Sequence, residues 1–427
     1  MNKKYKILTF ILGVLIICLV VGKLNFNKSE VYDTPVIVKE NRNLLSMMFE
    51  TAAGSGNYEM TSRSEWPKEG YVFNSTLSKC ENGGELSWDD TNKRVVMSGN
   101  VSDKCYVYFD VYVKPQVLLA DYVKSLYVSN NGENGIYYHD ASLTNGAGDS
   151  SYRFAGASGA VNNYVCFGSN TTPCPADNLY RIIGVFGDRV KLIKSDYATT
   201  ALLGTDGDYK QAYTAGSDDN SNYKGNNLAN IAGYTWNYKN NTSINSRRGS
   251  NTWSTSLLNK TNLNQNFITN IGTEWANKID MTTWKVGGNT WDNIAAQTAK
   301  TAYQNEIVNP VTTNSTDNKT EYSAKIGLMY ASDYGFAAAP SAWTTQLSSY
   351  NGEAIKNVNW MYMGLYEWTI SRAADTAYTM FRVHYNGIMD GTGASMGSAV
   401  RPVFYLTSSV NYAEGDGTQN LPIRIGD

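Results

Sequence analysis

The chain has 427 residues, which exceeds one ordinary domain and predicts two or three domains of roughly 100–200 residues each. Charged residues supply only 17% of it, and 36 basic against 38 acidic residues give a formal net charge of -2. Because no global basic field is present to hold a phosphate backbone, nucleic acid is not an expected partner. The 31 tyrosines and the low charge instead predict an ordered, tyrosine-rich surface protein.

The amino terminus has the features of an export segment. Lys3, Lys4 and Lys6 precede an uninterrupted apolar run at residues 7–22. No small-x-small cleavage site follows this run, which favours an uncleaved signal anchor over 1–22 and leaves a cleaved signal peptide as the alternative. The positive-inside rule then predicts a single pass through the cell membrane by residues 7–22, with the carboxyl-terminal part outside the cell.

The cysteine count agrees with an oxidising compartment. Apart from Cys18 in the apolar run, the chain has four cysteines, an even number that permits three disulfide connectivities. Short sequence separation favours Cys80 with Cys105 and Cys166 with Cys174. Zinc needs closely spaced Cys or His pairs, which this sequence lacks, so we expect no metal of that kind.

Calcium is a weaker alternative as a cofactor. Asp206 and Asp208, and further along Asp218 and Asp219, offer carboxylate oxygens, but their spacing matches no EF-hand loop. Clustered Asp and Asn more often form turns, because their side chains bond to the nearby backbone. We therefore expect no cofactor, with calcium left open.

Pattern changes divide the rest of the chain. Residues 105–113, CYVYFDVYV, alternate as an amphipathic strand does, whereas 116–128 have apolar positions at helical spacing. Gly54 to Gly56 marks a break before the first strands. The predicted organisation is a stalk at 23–56, a small β-rich module at 57–114 held by Cys80–Cys105, a linking helix at 115–134, and a large domain at 135–427.

Three local features stand out in the large domain. Two strand-like runs joined at Gly187-Asp188 predict a β-hairpin. Residues 256–279 predict one or two helices, and the Asn-, Ser- and Gly-rich stretch at 204–251 predicts ordered surface loops. Most of the tryptophans are expected in the core, with a few exposed rings able to stack on sugar faces. Gly393–Gly397, GASMG, indicates a glycine-rich surface loop rather than a nucleophile elbow, because no histidine follows it.

A signature near the carboxyl end resembles a known family. Residues 363–372 are MGLYEWTISR, FRVH begins at Phe381, and GSAVRPVFYL spans 397–406. This order resembles formylglycine-generating-enzyme-like domains, which have a C-type-lectin-like fold. Two upstream segments, which begin at Trp253 and Lys325, resemble a family of bacterial surface domains of unknown function with the same ending (DUF6273). This resemblance covers the region from Leu179 to Ile425. The implied fold class is α+β: an amino-terminal membrane helix, a small all-β module, and a C-type-lectin-like mixed α/β domain with long loops.

Two departures from that signature determine which properties of the family are expected for this chain. The oxidases work through cysteines in their carboxyl-terminal half, and this chain has none after Cys174, so oxidase activity is not expected. Leu365 also stands where the family has Asn. What remains is a structural motif, and a buried Glu367 would need an arginine partner. The motif residues are Gly364, Glu367, Trp368, Arg372, Arg382, Arg401 and Pro402, of which the three arginines are the candidate partners.

These observations favour a binding function. The leading hypothesis is a membrane-anchored, non-enzymatic surface protein whose distal lectin-like domain binds a glycan or a protein ligand through tyrosine-rich loops. The alternative is an extracytoplasmic carbohydrate-active hydrolase that uses two carboxylates about 5 to 9 Å apart. The sequence identifies no such pair and therefore no catalytic residue.

Overall fold

A computed structural model describes residues 45–61, 69–99, 103–113, 115–212, 220–226, 228–238, 248–290, 296–310 and 320–426. The expected α+β fold with a leading membrane helix is wrong, because strands account for 35% and helices for 21% of the structure. Within the described ranges, no helix combines the length and the apolar character needed to cross a membrane. The apolar run at 7–22 lies outside those ranges. Frequent alternation and closely spaced turn residues favour strands over long helices.

The chain forms two compact units, Met1–Pro115 and Gln116–Asp427. The first unit contains a four-stranded sheet in the order β2-β1-β6-β3, in which β1 and β6 are parallel, and a separate β4–β5 hairpin. Its strands are β1 Leu45–Glu50, β2 Tyr58–Thr61, β3 Tyr71–Cys80, β4 Glu85–Asp89, β5 Arg94–Ser98 and β6 Cys105–Val111.

Strand β1 corrects the predicted stalk. Residues 45–50 pair with β6 over its first five residues, so part of the segment assigned to 23–56 belongs to the sheet. The alternation predicted for β6 is present, with Cys105, Val107 and Phe109 buried on one face. Phe49 stacks on Phe109 with ring centroids 5.4 Å apart. Burial of these apolar faces holds the small sheet together.

The second unit is built from several sheets. The largest has the order β18-β22-β12-β11-β9-β8, with β10 pairing on β11, and a four-stranded sheet has the order β16-β19-β20-β21. The strands are β7 Val117–Leu118, β8 Ile136–His139, β9 Ser151–Phe154, β10 Tyr164–Cys166, β11 Leu179–Phe186, β12 Arg189–Lys194, β13 Tyr209–Ala212, β14 Ala232–Tyr234, β15 Thr282–Lys285, β16 Gly288–Asn289, β17 Glu321–Ala324, β18 Ile326–Gly327, β19 Glu367–Ala373, β20 Thr379–Val383, β21 Met389–Gly393, β22 Val403–Tyr405, β23 Asn411–Glu414 and β24 Arg424–Gly426.

The predicted hairpin lies at the centre of the largest sheet. Phe186 pairs with Arg189, so Gly187 and Asp188 form a two-residue turn between β11 and β12. Gly187 has φ 67°, a left-handed conformation that glycine adopts without strain. Burial of nearly every residue of both strands explains their continuous apolar pattern.

Helices in the second unit are short. The predicted linking helix is confined to Leu119–Ser125, and it follows β7, which pairs with β23 and so belongs to this unit. Residues 258–277 are largely helical, as predicted for 256–279. The α-helices are Leu119–Ser125, Thr200–Leu203, Ile268–Asn270, Thr273–Asn277, Ala299–Tyr303, Ala331–Phe336 and Glu353–Lys356; the π-helices are Leu258–Phe267 and Gln304–Val308. The 3-10 turns are Glu133–Gly135, Ala176–Asn178, Asn220–Asn222, Leu228–Asn230, Trp253–Thr255, Pro340–Ala342 and Leu347–Ser349.

Tryptophans form much of the core of the second unit. All those that the structure describes in this unit are buried, which leaves no exposed tryptophan ring among them for a sugar; they are Trp236, Trp253, Trp275, Trp284, Trp343, Trp360 and Trp368. Their indole N–H groups bond mostly to backbone carbonyls, as for Trp236 to Thr369 at 3.0 Å. Large rings with satisfied N–H groups explain how a chain of low charge builds a dense core.

Candidate functional site

The most recognisable motif is a buried ion pair. Arg401 Nε lies 2.7 Å from Glu367 Oε1, and Arg401 Nη2 lies 2.9 Å from Oε2, which is bidentate geometry. Arg401 Nη2 also donates to the carbonyl of Met361 at 2.6 Å. Burial raises the pKa of Glu367, and the Arg401 guanidinium opposes that rise. The pair is about 1% exposed, so no ligand reaches it from solvent.

Other motif residues also make structural contacts. Gly364 has φ 87°, and a Cβ there would lie 1.8 Å from the carbonyl oxygen of Asn222. Trp368 donates its indole N–H to the carbonyl of Tyr234 at 2.7 Å. The carbonyl of Pro402 accepts the backbone N–H of Lys194, the last residue of β12, at 3.1 Å. These contacts join distant segments of the second unit.

The two remaining arginines of the motif have separate partners. Arg372 donates to the carbonyl of Val286 at 2.8 Å, and burial lowers its pKa to about 10. Arg382 lies 3.5 Å from the Asp390 carboxylate and 3.6 Å from the ring centroid of Tyr366. Of the three arginines considered for Glu367, Arg401 is therefore the one that pairs with it. The motif residues therefore make contacts within the fold, and a ligand-binding surface has to be formed by other residues.

Both predicted disulfides are present. Cys80 is bonded to Cys105 across β3 and β6, and Cys166 is bonded to Cys174. Within the described residues, the one cluster of potential metal ligands is Cys80, Asp103 and Cys105. Its two sulfurs are joined in a disulfide and the Asp103 carboxylate accepts backbone N–H groups, so this cluster does not present thiolate ligands.

The aspartates considered for calcium are occupied by protein donors. Asp206 accepts the side-chain amide of Asn266 at 2.7 Å. Asp208 Oδ2 accepts the backbone N–H groups of Leu257 and Leu258 at 2.9 and 3.1 Å. Asp218 and Asp219 lie outside the described residues. Asp208 therefore caps the amino-terminal end of the helix Leu258–Phe267, where a carboxylate is favourable.

Two adjoining depressions provide the accessible site. The first, of about 380 Å³, is lined by Arg248, Thr376, Tyr378, Thr379, Thr392, Gly393, Ser395 and Met396. The second, of about 510 Å³, is lined by Gly207, Asp208, Tyr209, Lys210, Thr235, Tyr238, Ser395 and Met396. Both share Ser395 and Met396, so the GASMG loop, residues 393–397, separates them.

Backbone bonds hold this loop in place. Ser395 N donates to the carbonyl of Arg248 at 3.0 Å, and Trp236 N donates to the carbonyl of Ala394 at 2.8 Å. Gly249 has φ 78°, and a Cβ there would lie 2.6 Å from the carbonyl oxygen of Asn237. Close packing of three backbone segments therefore requires glycine at this point. The depressions are consequently formed on fixed backbone rather than on a loose loop.

Their walls combine aromatic rings, cations and hydroxyls. Tyr238 is 50% exposed and Met396 is 46% exposed. The Arg248 guanidinium lies 4.8 Å from the ring centroid of Tyr378 and donates to its hydroxyl. Lys210 Nζ donates to the carbonyl of Ser395 at 3.3 Å. Rings with polar tips and nearby donors suit a ligand that has both C–H faces and hydroxyl groups.

The sequence predicts the loops that form this site, but it does not show that they lie next to one another. The sequence predicts a glycine-rich surface loop at GASMG and ordered loops at 204–251, but it does not distinguish Arg248, Lys210 and Tyr378 from their neighbours. The clustering of tyrosine with Ser, Thr and Gly is the one local signal that points to them. No local pattern indicates that 376–379 lies beside 392–396 and close to Arg248.

No protein-family model matches the chain, and neither a curated protein nor a solved structure is significantly similar to it. The resemblance to lectin-like and DUF6273 domains therefore stays a prediction.

Proposed function

We propose that this protein is an exported, non-enzymatic surface protein that binds a glycan at the two depressions beside the GASMG loop. The observation that carries this proposal is the set of tyrosines around the depressions, Tyr209, Tyr238 and Tyr378. Each ring reaches the surface of a fixed backbone scaffold. A rigid aromatic surface of this kind offers contact area at low cost in side-chain entropy.

Sugar rings complement such walls. The face of a tyrosine ring is electron-rich and attracts the polarised C–H groups of a pyranose ring, while hydroxyls accept and donate hydrogen bonds. Thr235, Thr376, Thr392 and Ser395 supply hydroxyls at the same depressions. Shallow, open depressions also suit an extended oligosaccharide better than a small molecule that must be enclosed.

A hydrolytic function has less support at this site. Among the described lining residues, Asp208 is the one carboxylate, and it is 2% exposed. Its Oδ2 accepts two backbone N–H groups, and its Oδ1 accepts that of Tyr238 at 3.3 Å. Glycoside hydrolysis by the usual route needs a second carboxyl group about 5 to 9 Å away. The residues here favour binding over bond cleavage.

Export is supported by the disulfides. Structural disulfides persist in oxidising compartments and are rare in the cytosol of mesophiles. Each of the two units contains one, Cys80–Cys105 and Cys166–Cys174. We therefore place both units outside the cytoplasm in this proposal.

A glycan array probed with purified full-length protein tests the proposal. We expect binding to a set of glycans, lost in Tyr238→Ala and Tyr378→Ala. Tyr112→Ala is the matched control, because Tyr112 is a similarly exposed tyrosine, at 53%, that lies in the other unit. If no glycan binds while a protein ligand is captured in a Tyr238-dependent manner, the protein-ligand alternative replaces this proposal.

A further inference from the structure

Two cations lie on either side of the GASMG loop. Arg248 lines the first depression and Lys210 the second, and both side chains are exposed. Each bonds to the same residue of the loop: the carbonyl of Arg248 accepts Ser395 N, and Lys210 Nζ donates to the Ser395 carbonyl. Positive charge therefore flanks the ridge that separates the depressions.

The two cations are not paired with any acidic side chain that the structure describes. Neither Arg248 nor Lys210 forms an ion pair within the part of the chain that the structure describes. Asp208, the carboxylate at the second depression, is buried and bonded to backbone N–H groups. Among the described lining residues the exposed charges are therefore both positive, although the whole chain has a net charge of -2.

The Arg248 side chain is held ready for an anion. Its guanidinium packs against Tyr378 and uses one donor on the tyrosine hydroxyl. A guanidinium has five N–H donors in a planar fork, so further donors remain for a planar or tetrahedral oxyanion. Stacking on the ring restricts the side chain, which reduces the entropy lost when an anion binds.

We infer that the ligand of this site is an acidic glycan whose carboxylate or sulfate groups contact Arg248 and Lys210 while its sugar rings lie on Tyr238 and Tyr378. This inference rests on the proposed glycan-binding function and specifies its ligand class. The glycan chain crosses the ridge at Ser395–Met396, so anionic groups reach a cation on each side. Met396, exposed at the top of the ridge, supplies an adaptable apolar contact beneath the chain.

Matched polysaccharides separate charge from sugar recognition. Full-length protein is titrated with polygalacturonate and with its methyl-esterified form, which has the same backbone without the charge, and with dextran sulfate and plain dextran. We expect the acidic member of at least one pair to bind roughly tenfold or more tightly, with the carboxylate and sulfate arms identifying the anion. Affinity should fall between 0.1 and 1 M salt, because the screening length shortens from about 10 to about 3 Å.

Variants identify the cations. Arg248→Gln combined with Lys210→Gln should lower affinity for the acidic polymer roughly tenfold or more. Lys300→Gln is the matched control, because Lys300 is an exposed lysine that lines neither depression. Melting temperatures of all variants confirm that each one is folded before its affinity is compared.

The outcomes distinguish this inference from the function on which it rests. If esterified and neutral polymers bind as tightly as the acidic ones through Tyr238, the acidic-glycan inference is overturned and glycan binding stands. If the double variant keeps full affinity for the acidic polymer, the inference is also overturned. Absence of binding to every polymer and to every glycan of the array overturns both.

Discussion

Replacing Glu367 with Gln tests whether the most recognisable motif is structural. Glu367 and Arg401 are both almost completely buried and share two short hydrogen bonds. In Glu367→Gln, one amide N–H₂ group faces an arginine N–H donor, and the guanidinium charge loses its counter-charge. Arg401 Nη1 has no hydrogen-bond partner among the residues that the structure describes, so these surroundings offer little compensation.

The expected cost follows from that burial. Breaking a buried pair by neutralising one partner costs about 3–5 kcal/mol, because an uncompensated charge remains inside. For a unit that spans Gln116–Asp427, with an unfolding entropy of about 2.1 cal/mol/K per residue, each kcal/mol lowers the melting temperature by roughly 1.5 °C, so we expect a decrease of roughly 5–8 °C. The measurement is thermal unfolding followed by tryptophan fluorescence, since the buried tryptophans of the second unit report on its unfolding.

Two further variants serve as controls for Glu367→Gln. Glu353→Gln removes an exposed ion pair, Glu353–Lys356 at 2.6 Å, whose carboxylate side chain is 75% exposed, and should leave the melting temperature almost unchanged. Combining Glu367→Gln with Arg401→Met should recover part of the loss, because the unpaired buried charge is then absent. An unfolding free energy of Glu367→Gln within about 1 kcal/mol of the wild type would contradict a structural role for this ion pair. Glycan binding by the folded variant should be unchanged; its loss at unaltered stability would instead make Glu367 a ligand contact.

Two other sites make separate predictions. Burial raises the pKa of Glu306 to about 7, so between its ordinary 4.5 and 7 the folded protein holds a proton that the unfolded chain has lost. Glu306 therefore stabilises the fold at low pH and loses this contribution as pH rises through 7. In the wild type this group should lower the unfolding free energy by about 3 kcal/mol between about pH 5 and pH 8, and Glu306→Gln should lack that decrease. An identical pH profile of unfolding free energy for both proteins would contradict this. Gly364→Ala should destabilise by on the order of 3 kcal/mol or more in urea unfolding, because its Cβ meets the Asn222 carbonyl. Gly272→Ala, at nearly the same positive φ but with no atom within 4 Å, should cost only the backbone strain, on the order of 1–3 kcal/mol, and equal effects would show that the contact is unimportant.

Several features of the fold were predictable from neighbouring residues. Alternation in CYVYFDVYV predicts one buried face, and β6 buries Cys105, Val107 and Phe109. Two strand-like runs separated by Gly187-Asp188 predict a hairpin, because a two-residue turn places the two flanking strands side by side. Short separation likewise predicted Cys80–Cys105 and Cys166–Cys174. Each of these depends on interactions between residues close in the chain.

Other features needed the tertiary structure. Local pattern showed that a buried Glu367 needs an arginine, but three candidates were equivalent until the fold placed Arg401, 34 residues away, beside it. The stalk boundary failed for a similar reason, because 45–50 form a strand between β2 and β6, and β6 lies more than 50 residues later in the chain.

The candidate site shows this difference most clearly. The sequence shows tyrosine-rich loops and predicts most tryptophans in the core with a few at the surface, whereas the described tryptophans of the second unit are all buried. Lys210, Arg248 and Tyr378 come from segments far apart in the chain and meet only around the GASMG loop. Composition and periodicity determined that such a chain exposes aromatic and hydroxyl groups, because it has few charges to expose. Which of them share a surface was decided by long-range packing, since a binding site requires side chains that converge in space whatever their separation in the chain.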